Sequence, residues 1–122
     1  LLGNAGEFLD PVFSSGVTIA MKSAQYAAEC VVKQLNGQEV DWNEEYAKPL
    51  MVGVNTFRTY VEGWYSGILQ DVIFYQNPNP RIKQMISAIL AGYAWDQDNP
   101  YVKNSDQRLK TLAELVRENN NA

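Results

Sequence analysis

The amino-acid sequence predicts a mainly α-helical fold with about four to six helices. Apolar residues recur at steps of three and four positions along most of the chain, which is the spacing of a helix with one buried face. Helix-breaking pairs such as Asn36-Gly37 and Asn77-Pro78 separate these stretches. Hydrophobic residues make up 46% of the 122 residues, which is enough for a sizeable core.

The first 14 residues are expected to be mostly loop. Leu1-Leu2 is typical of the end of a strand whose beginning is missing, so we expect the chain to be a segment of a longer protein. Pro11 disfavours a helical conformation at Asp10. Either Ser14 or Ser15 is a good N-cap for the helix that follows.

The first helix should run from about Gly16 to Leu35, where Asn36-Gly37 supplies a left-handed C-terminal cap. Its polar residues form one narrow stripe, so most of the helix is expected to be buried. Its alanines would allow a neighbouring sheet or helix to approach closely. The expected apolar face consists of Val17, Ala20, Met21, Ala24, Ala28, Val31 and Leu35.

A second helix is expected to begin at Asp41, with Glu44 completing a capping box. Pro49 should kink this helix or mark its true start, because proline has no N–H to donate. Two glycines weaken the pattern, so a break is expected near residues 65–68. The apolar stripe consists of Tyr46, Leu50, Val54, Phe57, Val61, Trp64 and Ile68.

The rest of the chain predicts two longer helices after a short apolar one. Asn79 can cap a helix that has Pro80 in its first position, and the amphipathic pattern continues to Tyr93. A loop is expected from Asp96 to about Asn104. The last helix should run from about Ser105 to Arg117.

Composition argues against several kinds of partner. The net charge of −4 disfavours nucleic acid and an anionic membrane surface. No apolar run is long enough for a transmembrane helix. The single cysteine, Cys30, cannot form an internal disulfide, which favours the cytoplasm. The chain has no histidine, the commonest general base and metal ligand, and no metal site is expected.

Two glycines and a capped helix start point to a ligand site near the beginning of the chain. Gly3 and Gly6 allow the backbone to approach a partner closely. A helix that opens at Ser14–Gly16 presents unpaired N–H groups and the positive end of its dipole. Such an end favours a phosphate, a halide or the electron-rich edge of a ring. Taken alone, a serine cap usually marks only the start of an ordinary helix.

Together, Gly3–Gly6, Asp10-Pro11 and Ser14–Gly16 resemble the second FAD-binding signature of flavin-dependent halogenases and related FAD monooxygenases. The resemblance covers about residues 2–24 and is specific, because several spaced elements agree in order. Asn4 stands where the family has aspartate; its amide can still donate and accept hydrogen bonds, but it carries no charge.

Later residues also resemble the C-terminal helical region of this family, of which the tryptophan-type halogenases are the expected relatives. These residues are Phe57-Arg58, Trp64–Gly67 and Asp71.

The resemblance implies that the chain is the C-terminal part of an FAD-binding α/β flavoprotein. Residues 1–37 would end the FAD-binding domain, and residues 38–122 would form a helical region over the substrate side. Chloride would bind the backbone amides of Ser15 and Gly16. The implied FAD contacts are Gly3, Asn4, Gly6, Asp10, Pro11, Ser14, Ser15, Gly16 and Val17. On the residues alone, a turn role is as good an explanation for Asn4 and Asp10 as a ligand contact, and Asp10 is expected to fix the corner of the loop.

The implied activity belongs to a longer enzyme. Reduced FAD would react with oxygen, and an oxygen atom would pass to chloride or to an aromatic substrate, either free or bound to a carrier protein. A flavin reductase would be a further partner. The chain holds no candidate catalytic residue, no dinucleotide-binding glycine fingerprint, and neither the lysine nor the Trp-x-Trp-x-Ile-Pro segment of the family. We therefore expect this segment alone to be inactive and to bind FAD weakly or not at all.

A second hypothesis is a non-enzymatic helical module that associates with a partner or with itself through exposed apolar helix faces. An aromatic-rich band on the later helices is expected to be core, although it could also wall a substrate pocket or dock a carrier. Arg58 beside this band is expected at the surface, with a carrier phosphate as its alternative contact. The band consists of Phe57, Tyr60, Trp64, Tyr65, Phe74 and Tyr75.

Overall fold

A computed structural model describes residues 1–7, 9 and 15–121, and of Asn4 the backbone alone. Within these ranges the chain forms α-helices and no β-strand, so the predicted mainly α fold is confirmed. Gly3–Ala5 is a single 3-10 turn, and Asn43–Ala47 is a π-helical turn. The helices are α1 (Ser15–Leu35), α2 (Lys48–Ser66), α3 (Ile68–Ile73), α4 (Pro80–Leu90), α5 (Pro100–Lys103) and α6 (Ser105–Asn120).

The chain divides into two compact units, Leu1–Asn55 and Thr56–Ala122, and α2 contributes to both. The predicted division after residue 37 separates a flavin-binding end from a helical region. The predicted division is one of function and not of compact units, and it stays a prediction. None of the helices in the described ranges has the length and the apolar character that crossing a membrane requires.

The end of α1 is built as the sequence predicts. Gly37 has a φ of 78°, in the left-handed region that favours glycine. Its N–H donates to the Gln34 carbonyl at 3.0 Å, and the Gln38 N–H donates to the Lys33 carbonyl at 3.0 Å. These two bonds satisfy carbonyls that a helix otherwise leaves without partners.

The cap at Asp41 differs from the prediction by one residue. The Asp41 carboxylate accepts from the Asn43 and Glu44 N–H groups, but its own N–H donates to Glu45 rather than Glu44. The reason is the π turn, which is wider than an α turn and brings Glu45 into reach. Pro49 follows directly, just inside the start of α2, so it marks the change from π to α geometry.

Glu45 also joins this turn to α1. Lys33 Nζ lies 2.5 Å from Glu45 Oε1. The hydrogen bond raises the pKa of Lys33 and lowers the pKa of Glu45. Both side chains are solvent-accessible, so the pair orients the two segments more than it stabilises them.

The buried face of α1 is not the predicted one. The buried residues are Ser15, Ile19, Ser23 and Cys30. Among the described residues, the elements that pack on α1 are the 3-10 turn and the π turn, and no sheet covers the opposite side. Exposed on that side are Val17 (69%), Met21 (70%), Val31 (43%) and Leu35 (82%), together with Ala24 and Ala28.

The second unit has its own apolar core, in which α3 and α5 pack on α6. The predicted break lies at Gly67, whose φ is 83°, between α2 and α3. Asn79 caps α4, as predicted, by accepting from the Arg81 and Ile82 N–H groups, and Pro80 opens the helix. The core includes Phe57, Tyr60, Leu69, Ile86, Ile89, Val102, Leu109, Ala113 and Val116.

The expected loop at residues 96–104 contains one helical turn, α5, which Asn99 caps by accepting from the Tyr101 N–H. Asn99 also donates from its side chain to the Met85 carbonyl at 2.9 Å, which joins α5 to α4. The last helix continues to Asn120 rather than ending near residue 117. The Asn99 cap was not predicted, because the pattern of apolar residues does not reveal a cap inside a short loop.

Tyr60 is the largest fully buried side chain. Its hydroxyl donates to the Tyr101 carbonyl at 3.2 Å. Burial raises the pKa of Tyr60 well above the ordinary value of a tyrosine. The folded protein therefore holds the phenol proton more tightly than the unfolded chain does.

This difference predicts a loss of stability in alkali. Below about pH 10, Tyr60 is neutral in both states, and its contribution is fully present. As the pH rises from about 10 to 11, we expect the free energy of unfolding to fall by about 1 kcal/mol through this group. Urea denaturation followed by circular dichroism measures the change.

Tyr60→Phe is the control for this measurement. The variant should be less stable at neutral pH by about 0.5–1.5 kcal/mol, because the hydrogen bond is lost. Its stability should fall less steeply above about pH 10 than that of the original chain. Equal slopes for the two proteins would show that Tyr60 does not cause the alkaline loss.

Candidate functional site

The residues predicted to contact a ligand lie in the first unit. Gly3, Gly6, Ser15, Gly16 and Val17 are described in full. Asn4 is described by its backbone, within the 3-10 turn. The predicted contacts at Asp10, Pro11 and Ser14 lie outside the described residues.

Gly3 is held against α1. Its N–H donates to Ser23 Oγ at 3.2 Å, and Ser23 Oγ donates in turn to the Ala20 carbonyl at 2.8 Å. The φ of Gly3 is 55°, so a side chain here would be strained. A Cβ on Gly3 would lie 3.5 Å from the Ala20 Cβ, which shows how closely the turn approaches the helix.

Gly6 closes the same turn. The N–H groups of Gly6 and Glu7 both donate to the Gly3 carbonyl at 3.0 Å. A Cβ on Gly6 would lie 2.9 Å from the Leu1 carbonyl oxygen, closer than real Cβ contacts allow. Glycine is therefore required at this position by the backbone of Leu1, whatever ligand the turn contacts.

Two residues that support the turn were not singled out from the sequence for this role. Ser23 accepts from Gly3, and the Tyr46 hydroxyl donates to the Leu1 carbonyl at 2.6 Å. Ser23 follows Ile19 by four positions, so the two share one face of α1, and both are buried. A small polar residue aligned with a buried isoleucine is the signal that could have identified this face.

The start of α1 has an unusual hydroxyl group. Ser15 is 2% exposed, and its Oγ has no hydrogen-bond partner within the described residues. A buried hydroxyl without a partner costs about 1–3 kcal/mol, so an acceptor placed here would relieve a real penalty. The first turn of α1 contains no acidic side chain to occupy the positive end of the dipole.

The predicted site has two parts, the glycine turn and the start of α1, and they lie at different positions along the helix. The glycine turn contacts α1 at Ala20 and Ser23, more than one helical turn beyond Ser15. Gly16 is half-buried, whereas the Val17 side chain faces solvent with Met21 on the uncovered side of the helix. The arrangement offers backbone groups and one hydroxyl to a ligand, with no charged side chain in the first turn.

The aromatic band divides between core and surface. Phe57 and Tyr60 are buried, and Phe57 packs edge-on against Trp95 at a centroid distance of 5.9 Å. Tyr65 and Phe74 are 68% and 71% exposed. Only part of the band is therefore core, and Arg58 beside it is half-buried.

No family model matches the chain. The chain is similar to the crystal structure of a flavoprotein/dehydrogenase from Cytophaga hutchinsonii, with 48% sequence identity and a TM-score of 0.94. The similarity covers 98% of this chain and 30% of that one.

Two halogenating enzymes are also similar. The 1H-pyrrole-2-carbonyl-(peptidyl-carrier protein) chlorinase of Pseudomonas fluorescens is 26% identical over 84 residues, which are 67% of this chain and 19% of the enzyme. The corresponding brominase of Pseudoalteromonas luteoviolacea is 28% identical over 104 residues, which are 78% of this chain and 23% of the enzyme.

These similarities confirm the resemblance to halogenases and flavoproteins. The chain is homologous to one segment of such proteins and spans about a fifth of the length of the two halogenases. The individual contacts with FAD and chloride remain predictions.

The contact between the turn and α1 can be tested through Ser23→Ala. Removing Oγ takes away the acceptor of the Gly3 N–H, so we expect that amide to exchange with solvent roughly three- to ten-fold faster. Amides within α1 should exchange at their original rates, because the serine bond to the Ala20 carbonyl is not needed by the helix. Hydrogen exchange followed by NMR measures the rates at Gly3 and within α1.

Ser87→Ala, a substitution at an exposed serine of α4, is the control. Unchanged exchange at Gly3 in Ser23→Ala would contradict this arrangement.

Proposed function

We propose that this chain works as one segment of a flavin-dependent, halogenase-like enzyme, in which it supplies contacts to FAD and to a halide at the start of α1. The observation that carries the proposal is the open start of α1, a 21-residue helix with no acidic side chain in its first turn to occupy the positive end of its dipole. The Ser15 hydroxyl at that start is buried and has no hydrogen-bond partner within the described residues. The homology to a chlorinase, a brominase and a flavoprotein supports the class of ligand.

The residues present fit such a ligand. Gly3, Asn4 and Gly6 would bring the backbone of the turn and one neutral side-chain amide close to FAD, while the N–H groups of Gly3 and Gly6 stay bonded within the turn and to Ser23. Asp10-Pro11 would set the loop. Ser14 and Val17 complete the proposed FAD contacts around the helix start. When bound, the flavin supplies the oxidising chemistry, and the protein supplies binding and orientation.

The halide would be held without a cationic side chain. The backbone N–H groups of Ser15 and Gly16 belong to the first turn of a 21-residue helix, where N–H groups have no partner inside the helix. These donors and the helix dipole both favour a negative charge. An acidic side chain would compete for the same place, and the first turn of α1 has none.

The substrate class follows from the two halogenating relatives, whose names describe a pyrrole carbonyl group on a carrier protein. We infer an aromatic substrate bound to a carrier protein, with a flavin reductase as the source of reduced flavin. Residues 38–122 would cover the substrate side as a helical cap.

The exposed side of α1 supports a second candidate function, association through an apolar helix face. Val17, Met21 and Leu35 are each more than two-thirds exposed. A face of this kind is rarely left open to water in a working protein. In the halogenase-like enzyme, the rest of the polypeptide would cover this face. In the second candidate function, a partner or another copy of the chain would cover it.

The halide site is tested in the longer polypeptide that carries this segment. Ser15→Pro removes one N–H donor, but proline is tolerated in the first turn of a helix. Because a hydrogen bond to a charged group contributes about 1.5–3 kcal/mol, we expect the apparent halide affinity to fall roughly 10- to 100-fold. Halogenation rates measured against chloride concentration give this value.

Ser15→Ala is the matched control, since it removes the hydroxyl and keeps the N–H. Its halide affinity should change much less than that of Ser15→Pro, and both variants should keep their bound flavin. Equal effects of the two substitutions would argue against backbone binding of the halide. A flavin-containing enzyme that shows no halide dependence would favour hydroxylation.

The second candidate predicts that the 122-residue chain associates through α1. Met21→Glu places a charge in the middle of the exposed face, so we expect the measured mass to fall to that of a monomer. Gln34→Glu adds the same charge to an exposed position of α1 outside that face. Sedimentation velocity of the original chain and the two variants measures their masses. A monomeric original chain would exclude self-association through α1.

A further inference from the structure

The second unit contains an apolar cleft, which we call the α4–α6 cleft. It lies between α4 and α6 and is closed on one side by α3 and the loop that follows it. Its volume is about 380 Å³, within the range of pockets that hold small ligands. Its residues all belong to Thr56–Ala122, so it is separate from the proposed flavin contacts.

The floor and walls of the cleft are hydrocarbon. Ile86 and Val116 form buried parts of its lining, and the half-buried side chains of Ile82, Leu90 and Leu112 surround them. Core residues normally fill such a space, because apolar surface left in contact with water costs roughly 25 cal/mol per Å². A ligand with an apolar body would bury this surface.

Two polar residues lie at the start of α4, and a third, Ser87, lines the cleft farther along the helix. Asn79 and Lys83 lie one turn apart on the cleft side of α4, and Asn77 lines the cleft from the preceding loop. Of the fifteen described residues that line the cleft, Lys83 is the charged one. No ion pair of Lys83 is found within the part of the chain that the structure describes.

The ligand end near Lys83 therefore meets two sources of positive potential. One is the ammonium group itself, and the other is the dipole of the 11-residue helix α4, whose first N–H groups already donate to Asn79. The helix has no acidic residue in its first turn to neutralise either. Farther along α4, Leu90 lines the cleft, and α6 contributes the apolar side chains of Leu112 and Val116.

We propose that the α4–α6 cleft binds a small amphipathic anion, such as a medium-chain carboxylate, with its apolar body between α4 and α6 and its acidic head at Lys83. This site is independent of the proposed flavin and halide contacts. A purely apolar ligand would make no interaction with the Lys83 ammonium group. A purely polar anion would leave the apolar side chains of the cleft exposed to water.

Dodecanoate below its micellar concentration is the probe, and dodecanol is the uncharged comparison. We expect one dodecanoate to bind each chain in isothermal titration calorimetry. Lys83→Gln should weaken dodecanoate roughly two- to five-fold, the usual range for a solvent-accessible charge pair, and leave dodecanol unchanged. Lys103→Gln, at an exposed lysine outside the cleft, should change neither.

Ser87→Trp tests the position of the apolar body. Ser87 is an exposed residue of the cleft lining, so an indole there would occupy the opening and weaken both ligands at least about tenfold. Gln84→Trp is the matched control, because Gln84 is exposed on the same helix but does not line the cleft.

Three results would overturn the proposal. The first is the absence of dodecanoate binding by the original chain. The second is equal binding by Ser87→Trp and Gln84→Trp, which would place the ligand elsewhere. The third is a dimer that Ser87→Trp dissociates, which would show that a second copy of the chain occupies the cleft.

Discussion

The candidate site depends on one hydrogen bond, from the Gly3 N–H to Ser23 Oγ. This bond holds a turn of three residues on the side of α1, and the Tyr46 hydroxyl holds the residue pair before the turn by donating to the Leu1 carbonyl. The geometry of the turn requires glycine at both of its ends, because Gly3 is left-handed and Gly6 touches the Leu1 carbonyl. At both ends of the turn, a ligand therefore meets backbone rather than side chains.

The same helix has two sides of opposite character. The Ile19 side is covered by short turns and includes two serines and the cysteine, whereas the Val17 side carries most of the larger apolar residues and is open. A helix that buries serines and exposes valine and leucine is unusual for a protein that works alone. Under either proposed function this open side would be covered, by the rest of a longer polypeptide in one and by a partner or a second copy in the other.

The second unit shows a different balance. Its core is well filled around Tyr60 and Leu69, yet α4 and α6 leave an apolar cleft between them. The flavin-related residues and the cleft lie in separate units and use different chemistry: backbone donors in the first, and a lysine beside hydrocarbon in the second. The similarity to flavin proteins extends over both units, and the individual contacts at each site are proposals.

The amino-acid sequence by itself determined the longer helices, the breaks between them, and the caps at Gly37 and Asn79. The left-handed glycines at 37 and 67 and the asparagine cap at 79 act on neighbouring backbone, so local residues are enough to predict them. The similarity to flavin-dependent halogenases was also recognisable from short motifs. Tertiary structure alone decided which side of α1 is buried and that α4 and α6 leave a cleft. These features depend on what packs against each residue from distant parts of the chain, and periodicity along one helix does not contain that information.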